Sequence, residues 1–260
     1  MAKSQLFVDR NVTTGNLWQV AAAALTASSA ASALPATNTQ NPDRTKTWQS
    51  AQNTTTQYID IDLGASYAAT GVAIANLRLL GAGALKLQQR GTSGSPGAAV
   101  DVATLPAMDA RTQVTYVTFG TVTARHWRLL WTNPTSASDY ASAGYVFLGQ
   151  YYETTVNPSS PLDLPRLPLS TARTSDYGQK TFQRKGDLYT VRLQYRDLPE
   201  ADSDAIRAIY EIVQVTAPFF YVLDNTRGWQ SWLVRMSGFT PGISRGYGRF
   251  NQDVTVEEAL

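Results

Sequence analysis

Apolar and polar residues alternate in short runs through the first 155 or so residues, as they do in half-buried β-strands. In the run at positions 58–63, the apolar side chains Ile59, Ile61 and Leu63 fall on one face. The next run, Gly71–Leu77, is apolar on both faces and predicts a buried strand. Four further strand-like runs follow at Leu85–Gly91, Tyr116–Phe119, His126–Trp131 and Tyr145–Tyr152. Strands of this length separated by Gly and Pro clusters predict a β-sandwich.

The last third of the chain has a different pattern. Residues 188–196 alternate without interruption, with Arg192, Gln194 and Arg196 on the polar face. A helix is predicted next, because Pro199 fits its first turn, acidic residues follow at the helix N-terminus, and an apolar stripe recurs at helical spacing. The stripe consists of Ile206, Ile209, Ile212 and Val213. A hairpin and a last strand near Asp253 follow, so this part is predicted to be an α+β domain with one helix against a β-sheet.

A proline-rich stretch separates the two patterns. Residues 157–169 contain four prolines, which lack donors for a sheet and favour an extended path. The sequence therefore predicts a mainly β chain in four parts. These are an N-terminal arm or packing segment at 1–32, a β-sandwich at 33–156, a linker at 157–169 and an α+β assembly domain at 170–260.

Composition excludes several classes of function. The chain has no cysteine and one histidine, so thiolate chemistry and multi-histidine metal sites are excluded. Its 22 Lys and Arg residues nearly balance 20 Asp and Glu residues, which favours neither nucleic acid nor an anionic membrane as a partner. No apolar run reaches the roughly 18 residues of a membrane span. We expect no cofactor, no bound metal and no membrane insertion.

Asp60 and Asp62 raise the question of whether the chain is an enzyme. They lie two residues apart on one strand face, a spacing that two cooperating carboxylates could use. The same spacing results from ordinary alternation of apolar and polar positions, and this is the interpretation we favour; a calcium site using one of them is the alternative. His126 would need a nucleophile and an orienting acid, and the chain has no Gly-x-Ser-x-Gly turn. The sequence predicts no catalytic residue.

Five landmarks in the first part resemble the galactose-binding-like β-sandwiches of the discoidin and coagulation-factor C-domain group. They are the segments TWQSA (47–51), IDLG (61–64), GVAI (71–74), TARHWRLLW (123–131) and VFLGQYY (146–152). The resemblance covers about residues 33–153. It implies that the aspartate of IDLG is structural. It also implies binding of carbohydrate, lipid headgroup or protein through loops at one end of the sandwich. The candidate ligand-binding residues near those loops are Asp43, Arg44, Trp48, Asp139 and Tyr140.

The second part resembles the tail-tube-like domains of siphophage tail and baseplate proteins, including distal tail and minor tail proteins. The matching residues are Ile206–Tyr210, Pro218–Asp224, Gly228 and Arg235–Met236, within about residues 170–258. The resemblance implies a structural virion protein of a phage tail tip or baseplate. Such a protein is made in the bacterial cytoplasm, forms a homo-oligomeric ring and contacts other tail proteins.

Two functions follow from these resemblances. The first is the tail protein, with contact to host cell-surface carbohydrate as a further expectation. The alternative is a carbohydrate-binding module carried on a scaffold domain. For assembly, the polar face of the strand at 188–196 and a glycine-rich segment at 242–250 are the predicted interface. The candidate interface residues are Arg192, Gln194, Arg196, Arg245, Tyr247 and Arg249.

Overall fold

The computed structural model describes most of the chain between residues 3 and 259. The residues outside the description are 1–2, 21–22, 52–55, 80–82, 93, 95, 111, 133–139, 160–165, 169–170, 175, 178, 184–186, 228–229, 245–247 and 260. The backbone alone is described at 166–168, 171–172, 181–183, 187–188 and 241–244.

The first ten strands lie before residue 154. They are β1 (Gln5–Phe7), β2 (Ala24–Ala27), β3 (Trp48–Gln49), β4 (Gln57–Ala75), β5 (Leu85–Gln89), β6 (Val100–Leu105), β7 (Val114–Trp131), β8 (Ser142–Ala143), β9 (Val146–Gly149) and β10 (Tyr152–Glu153). Short 3₁₀ helices span Leu17–Gln19 and Ala36–Gln40. Six of these strands form one antiparallel sheet in the order β2-β4-β7-β5-β6, with β9 also paired to β4. Strands β3 and β8 pair separately.

Strands β4 and β7 are long enough to run through both layers of a sandwich. The first half of β4 pairs with β2 and the second half with β9, while β7 follows it along both halves. Register shifts after Asp62 and after Ala69 mark the bend, and Gly64 there has a φ of 77°, which glycine adopts at little cost. Buried side chains from both halves meet in one core, which includes Ile59, Ile61, Val72, Ile74, Trp127 and Leu129. We call this unit the sandwich.

The remaining elements form a second sheet with a helix on one face. They are β11 (Arg166–Pro168), β12 (Thr171–Thr174), β13 (Lys180–Gln183), β14 (Asp187–Pro199), α1 (Glu200–Val213), β15 (Phe219–Val222), β16 (Ser231–Ser244) and β17 (Arg249–Glu258). The order in the second sheet is β10-β1-β15-β16-β17-β14-β11, and β12 and β13 form a separate hairpin. Among the described residues, no helix has the length and apolar run that crossing a membrane requires.

Helix α1 forms where the sequence predicts it. Glu200 and Asp202 lie in its first turn, where the helix dipole favours negative charge. Ile206, Ile209 and Val213 are buried against the second sheet, and Ile212 of the predicted stripe is half-buried. On the facing strand β14, the apolar side of the predicted alternation is buried in the same core at Val191, Leu193 and Tyr195. The predicted mainly β fold, a sandwich followed by an α+β part with one helix, is confirmed.

The first strand of the chain belongs to the second sheet. Strand β1 lies between β15 and β10, and its side chains point to opposite faces. Leu6 faces the core under the helix, whereas Phe7 faces the sandwich. The Phe7 ring lies 5.5 Å from Tyr116, 5.6 Å from Phe147 and 5.5 Å from Tyr151, measured between centroids. A third apolar core, shared by the sandwich and the second sheet, therefore forms around Phe7.

The sequence did not reveal this connection. The predicted division into segments 1–32, 33–156, 157–169 and 170–260 stays a prediction. Strands from different predicted segments pair with each other, however. The segment 1–32 supplies β1 to the second sheet and β2 to the sandwich, and β10 also precedes the predicted linker. Arg44 of the sandwich adds an ion pair at 2.6 Å to Glu258 of β17. The two predicted domains thus share strands, a core and a part-buried ion pair.

Replacing Phe7 tests this shared core. Phe7 is fully buried and held by three rings, so Phe7→Ala is expected to cost about 3–5 kcal/mol of unfolding free energy. Chemical denaturation followed by tryptophan fluorescence measures it. Tyr177→Ala is the control, since that ring is 96% exposed and its loss is expected to cost within about 0.5 kcal/mol. Equal stability of the two variants would contradict the shared core.

Cutting the chain after Ser159 tests whether the two parts are separable. The fragment before the cut contains β1, which pairs with β15 of the fragment after it, and β10, which pairs with β1 at the edge of the same sheet. We therefore expect the halves to remain together on size-exclusion chromatography under native conditions and to separate only in denaturant. Two independently folded fragments that elute apart would show that the shared strands do not hold the units together.

Candidate functional site

A pocket of about 280 Å³ lies on the outer face of the sandwich, where β2, β4 and β7 meet the segment after β5. Its polar lining is Thr26, Asp60, Asp62, Arg90 and His126, and Ile61, Pro96 and Trp127 are among the other residues that line it. The pocket belongs to the layer built from the first half of β4 and the second half of β7. The opposite halves of the same two strands carry Ala73 and Val114 into the core shared with the second sheet. The pocket thus lies on the layer away from that sheet.

Strand pairing brings the polar residues of the pocket together. Ile59 and Ile61 are fully buried, so strand alternation turns Asp60 and Asp62 outward. In the antiparallel register, Asp60 lies opposite Arg128 and Asp62 opposite His126. The predicted alternation is confirmed, but the two carboxylates are not the free surface charges that the pattern suggested.

Asp60 is held by two guanidinium groups. Arg128 donates Nε–H to Oδ1 at 2.6 Å and Nη2–H to Oδ2 at 2.7 Å, which is a bidentate pair. Arg90 donates from Nη1 to Oδ2 at 2.7 Å. The guanidinium of Arg128 also lies 3.9 Å from the centroid of the Tyr58 ring, which fixes its plane. These contacts hold the Asp60 carboxylate in one orientation at the pocket wall.

Asp62 has its own cationic partner. Arg125 donates Nε–H to Oδ1 at 2.6 Å and Nη2–H to Oδ2 at 2.8 Å, and the Gly64 amide donates to Oδ1 at 2.8 Å. Hydrogen bonding from Arg125 is the main reason that the pKa of Asp62 is lowered from 3.8 to about 2. His126, only 6% exposed, has Nδ1 3.8 Å from Oδ1 of Asp62. Asp62 therefore stays ionised at neutral pH.

Three guanidinium groups around two carboxylates disfavour a divalent cation at this position. Within the described residues, no group of three or more His, Asp and Glu side chains is placed to hold a metal ion. The alternative of a calcium site at Asp60 or Asp62 thus gains no support from the geometry. The expectations that the chain has no catalytic residue and no cofactor stay predictions.

The four predicted ligand residues that the structure describes, Asp43, Arg44, Trp48 and Tyr140, have partners within the chain. Asp43 caps a local turn, where it accepts hydrogen bonds from the amide and hydroxyl of Thr45. Arg44 donates hydrogen bonds to the Glu258 carboxylate and, at 2.9 Å, to the carbonyl of Thr112. Both therefore have structural partners within the chain.

Trp48 requires a correction. Its side chain is fully buried, its ring lies 5.0 Å from Trp131, and its indole N–H donates to the Ser29 carbonyl at 3.1 Å. The ring is part of the core and offers no platform to a ligand in solvent. Tyr140 lies under the guanidinium of Arg78 at 3.8 Å, and Asp139 lies outside the described residues.

Of the predicted interface residues, Arg192, Gln194 and Arg196 lie on the face of the second sheet opposite helix α1. Arg192 and Arg196 each donate to the Asp253 carboxylate at 2.8 Å, and the Arg192 side chain is 63% exposed. The backbone carbonyl of Gln194 accepts from the Ser159 amide at 2.7 Å. These contacts are within the chain, and the assembly interface stays a prediction.

The glycine-rich part of that predicted interface is only partly described. Arg249 donates to the Asp197 carbonyl at 3.1 Å, and it lies opposite Pro199 in the pairing of β17 with β14. Arg245 and Tyr247 lie outside the described residues.

Sequence reasoning missed Arg90 and did not bring Asp60, Asp62 and His126 together in one site. The sequence does show a run with two arginines, Arg125 and Arg128, and another run with two aspartates, Asp60 and Asp62. What the sequence lacked was the register that sets these two runs side by side.

Comparison with solved structures gives partial similarities to carbohydrate-binding modules. Chitosan-binding module 1 from a Paenibacillus sp. IK-5 chitosanase/glucanase is 25% identical, with a TM-score of 0.40, over 53% of this chain and 97% of the module. The family 32 module of NanJ from C. perfringens, solved with galactose, is 14% identical with a TM-score of 0.42, over 57% of this chain and 99% of the module. No protein-family model and no curated protein matches the chain.

The lowered pKa of Asp62 predicts a measurable pH dependence. Because the folded pKa of about 2 lies below the ordinary value of 3.8, the ion pair stabilises the fold above about pH 4. That contribution is lost as the pH falls towards 2. Wild type is therefore expected to be more stable than Asp62→Asn at neutral pH, with a gap that narrows between about pH 5 and pH 2. Thermal melts across this range measure the gap, and a constant gap would show that the carboxylate charge is not responsible.

Proposed function

We propose that the chain is a non-catalytic carbohydrate-binding module carried on a scaffold, and that the pocket at Asp60 and Arg90 takes a sugar unit. The observation that carries the proposal is the fixed carboxylate–guanidinium pair in the pocket wall. Oδ2 of Asp60 and Nη1 of Arg90 are 2.7 Å apart, so an acceptor and a donor stand side by side. Neighbouring hydroxyls of a sugar can donate to the first group and accept from the second.

The rest of the pocket also suits a sugar. Its volume of about 280 Å³ is at the small end of the range for ligand sites, which fits a ligand of about one ring. Ala24 and Pro96, which line the pocket and are exposed, supply apolar atoms on which the C–H groups of a ring can lie. The ion pairs keep the polar groups in place before binding, which lowers the entropy that a ligand has to overcome.

A variant that fills the pocket tests the proposal. Ala24 lines the pocket on the exposed strand β2, so Ala24→Trp places an indole in the pocket without removing any hydrogen bond of Asp60. Wild type is expected to bind at least one glycan of a panel of soluble chitosan, galactoside and uronate oligomers in calorimetric titrations. Ala24→Trp is expected to weaken that binding by at least about tenfold.

The control is Val215→Trp, because Val215 is 57% exposed and lies outside the sandwich, after helix α1. It adds the same indole and should leave glycan affinity unchanged. Absence of binding to every glycan in the panel, or equal binding by wild type and Ala24→Trp, would overturn the proposed function.

The virion role stays a prediction beside this proposal, as does location in a phage tail. The solved structures named above are carbohydrate-binding modules, and neither is described as a tail or baseplate protein. One feature is compatible with assembly, namely the polar outer face of β14 with Arg192 63% exposed. Native mass spectrometry of the full chain, compared with Arg192→Glu, distinguishes a ring from a monomer.

A further inference from the structure

The positive and negative side chains around the pocket are unequal in number, with three guanidinium groups and two carboxylates. Asp62 is matched by Arg125 through two hydrogen bonds, and Asp60 is matched by Arg128 through two more. Arg90 is the third guanidinium, and it shares Asp60 with Arg128 through a single donor. The pocket region therefore has one positive charge more than the two carboxylates can balance.

The excess charge lies on the arginine that lines the pocket. Arg125 and Arg128 hold their carboxylates from outside the lining, whereas Arg90 belongs to it, with its side chain 20% exposed. The Nε–H of Arg90 is buried and has no acceptor among the residues that the structure describes. Nη1 donates to Asp60, and Nη2 donates to no described residue. The guanidinium is thus fixed in place, while its Nε and Nη2 have no acceptor within the described part of the chain.

The nearest further acid on this sheet does not correct the imbalance. Asp101 of β6 accepts from Lys86 at 2.7 Å and from Gln88 at 2.6 Å, so it has its own cation. It does not line the pocket, and His126 adds no negative charge. A neutral sugar would leave the excess charge of Arg90 uncompensated in a partly enclosed site, whereas an anion would compensate it.

We propose that the sugar taken by this pocket carries a carboxylate, which lies against the guanidinium of Arg90 while ring hydroxyls donate to Asp60. The inference rests on the proposed function and makes it more specific, from carbohydrate in general to uronic-acid glycans. A carboxylate is the anion that a planar guanidinium matches best among common sugar substituents, because both groups are flat and can form paired hydrogen bonds.

Methyl esters provide the matched ligand. Oligomers of galacturonate, glucuronate and mannuronate are titrated calorimetrically as the free acid and as the methyl ester, which removes the charge and changes the shape little. Wild type is expected to bind at least one free acid about tenfold or more tightly than its ester. The preference is expected to shrink as salt is raised, because the contact is partly exposed and therefore screened.

Two variants with the same change in net charge locate the effect. Arg90→Gln is expected to reduce the preference for the acid to within about twofold, because the excess charge is gone. Lys86→Gln removes a cation of the same sheet outside the pocket and should keep the preference. Thermal melts check that both variants are folded. An acid preference that persists in Arg90→Gln would overturn the inference.

The result also separates the inference from the proposed function. If acid and ester bind equally and Ala24→Trp abolishes both, the pocket binds sugar but does not select a carboxylate, and the inference fails alone. If neither these oligomers nor the neutral glycans bind, the proposed function fails and the inference fails with it.

Discussion

The burial of Phe7 between the two sheets is the contact on which the arrangement of the whole chain depends. Strand β1 is only three residues long, yet it lies inside the second sheet and turns Phe7 towards the sandwich. There is no room for a side chain opposite it, since a Cβ added at Gly71 would come within 2.9 Å of Cε1 of Phe7. The contact between the Phe7 ring and the backbone of Gly71 therefore sets how closely the second sheet approaches the sandwich.

The position of β4 and β7 in the sandwich explains why one surface can dock against the second sheet while another carries the pocket. Each strand is long enough to contribute to both layers, so the same two strands form the surface under Phe7 and the wall of the pocket. Ala73 and Ala75, with small side chains, are used where the second sheet packs. Asp60 and Asp62 are used where the layer faces solvent. The surface that packs against the second sheet and the surface that carries the pocket therefore lie on separate halves of the same strand.

Much of the fold was predictable because alternation and helical spacing are local properties of a sequence. The buried Ile59 and Ile61, the helix stripe through Ile209 and the hairpin after Phe219 were all predicted from their immediate neighbours. The place of β1 was not predictable, because Lys3 and its partner Asn225 are 222 residues apart. No periodic pattern encodes a contact at that separation.

The candidate site was predictable only in part, for the same reason. Alternation correctly turned Asp60 outward, but its partner Arg128 comes from β7 and its partner Arg90 directly follows β5, and their meeting depends on the register of these strands. Trp48 illustrates the opposite error. An aromatic residue near a loop suggested a platform for a sugar. In the structure its indole N–H donates to a backbone carbonyl and its ring packs against Trp131, and these two contacts allow complete burial.

The position of β1 has a consequence for synthesis of the protein. Strand β1 is made before the sandwich strands and its partner β15 after them, so these two strands cannot pair until the whole sandwich has been synthesised. The sandwich strands β2–β9 lie between them and can fold during that interval, leaving Phe7 and the apolar patch at Ala73 and Phe147 uncovered. Pairing of strands that are so far apart in sequence is slow. We therefore expect a folding intermediate in which the sandwich has formed and its apolar surface is still exposed to solvent.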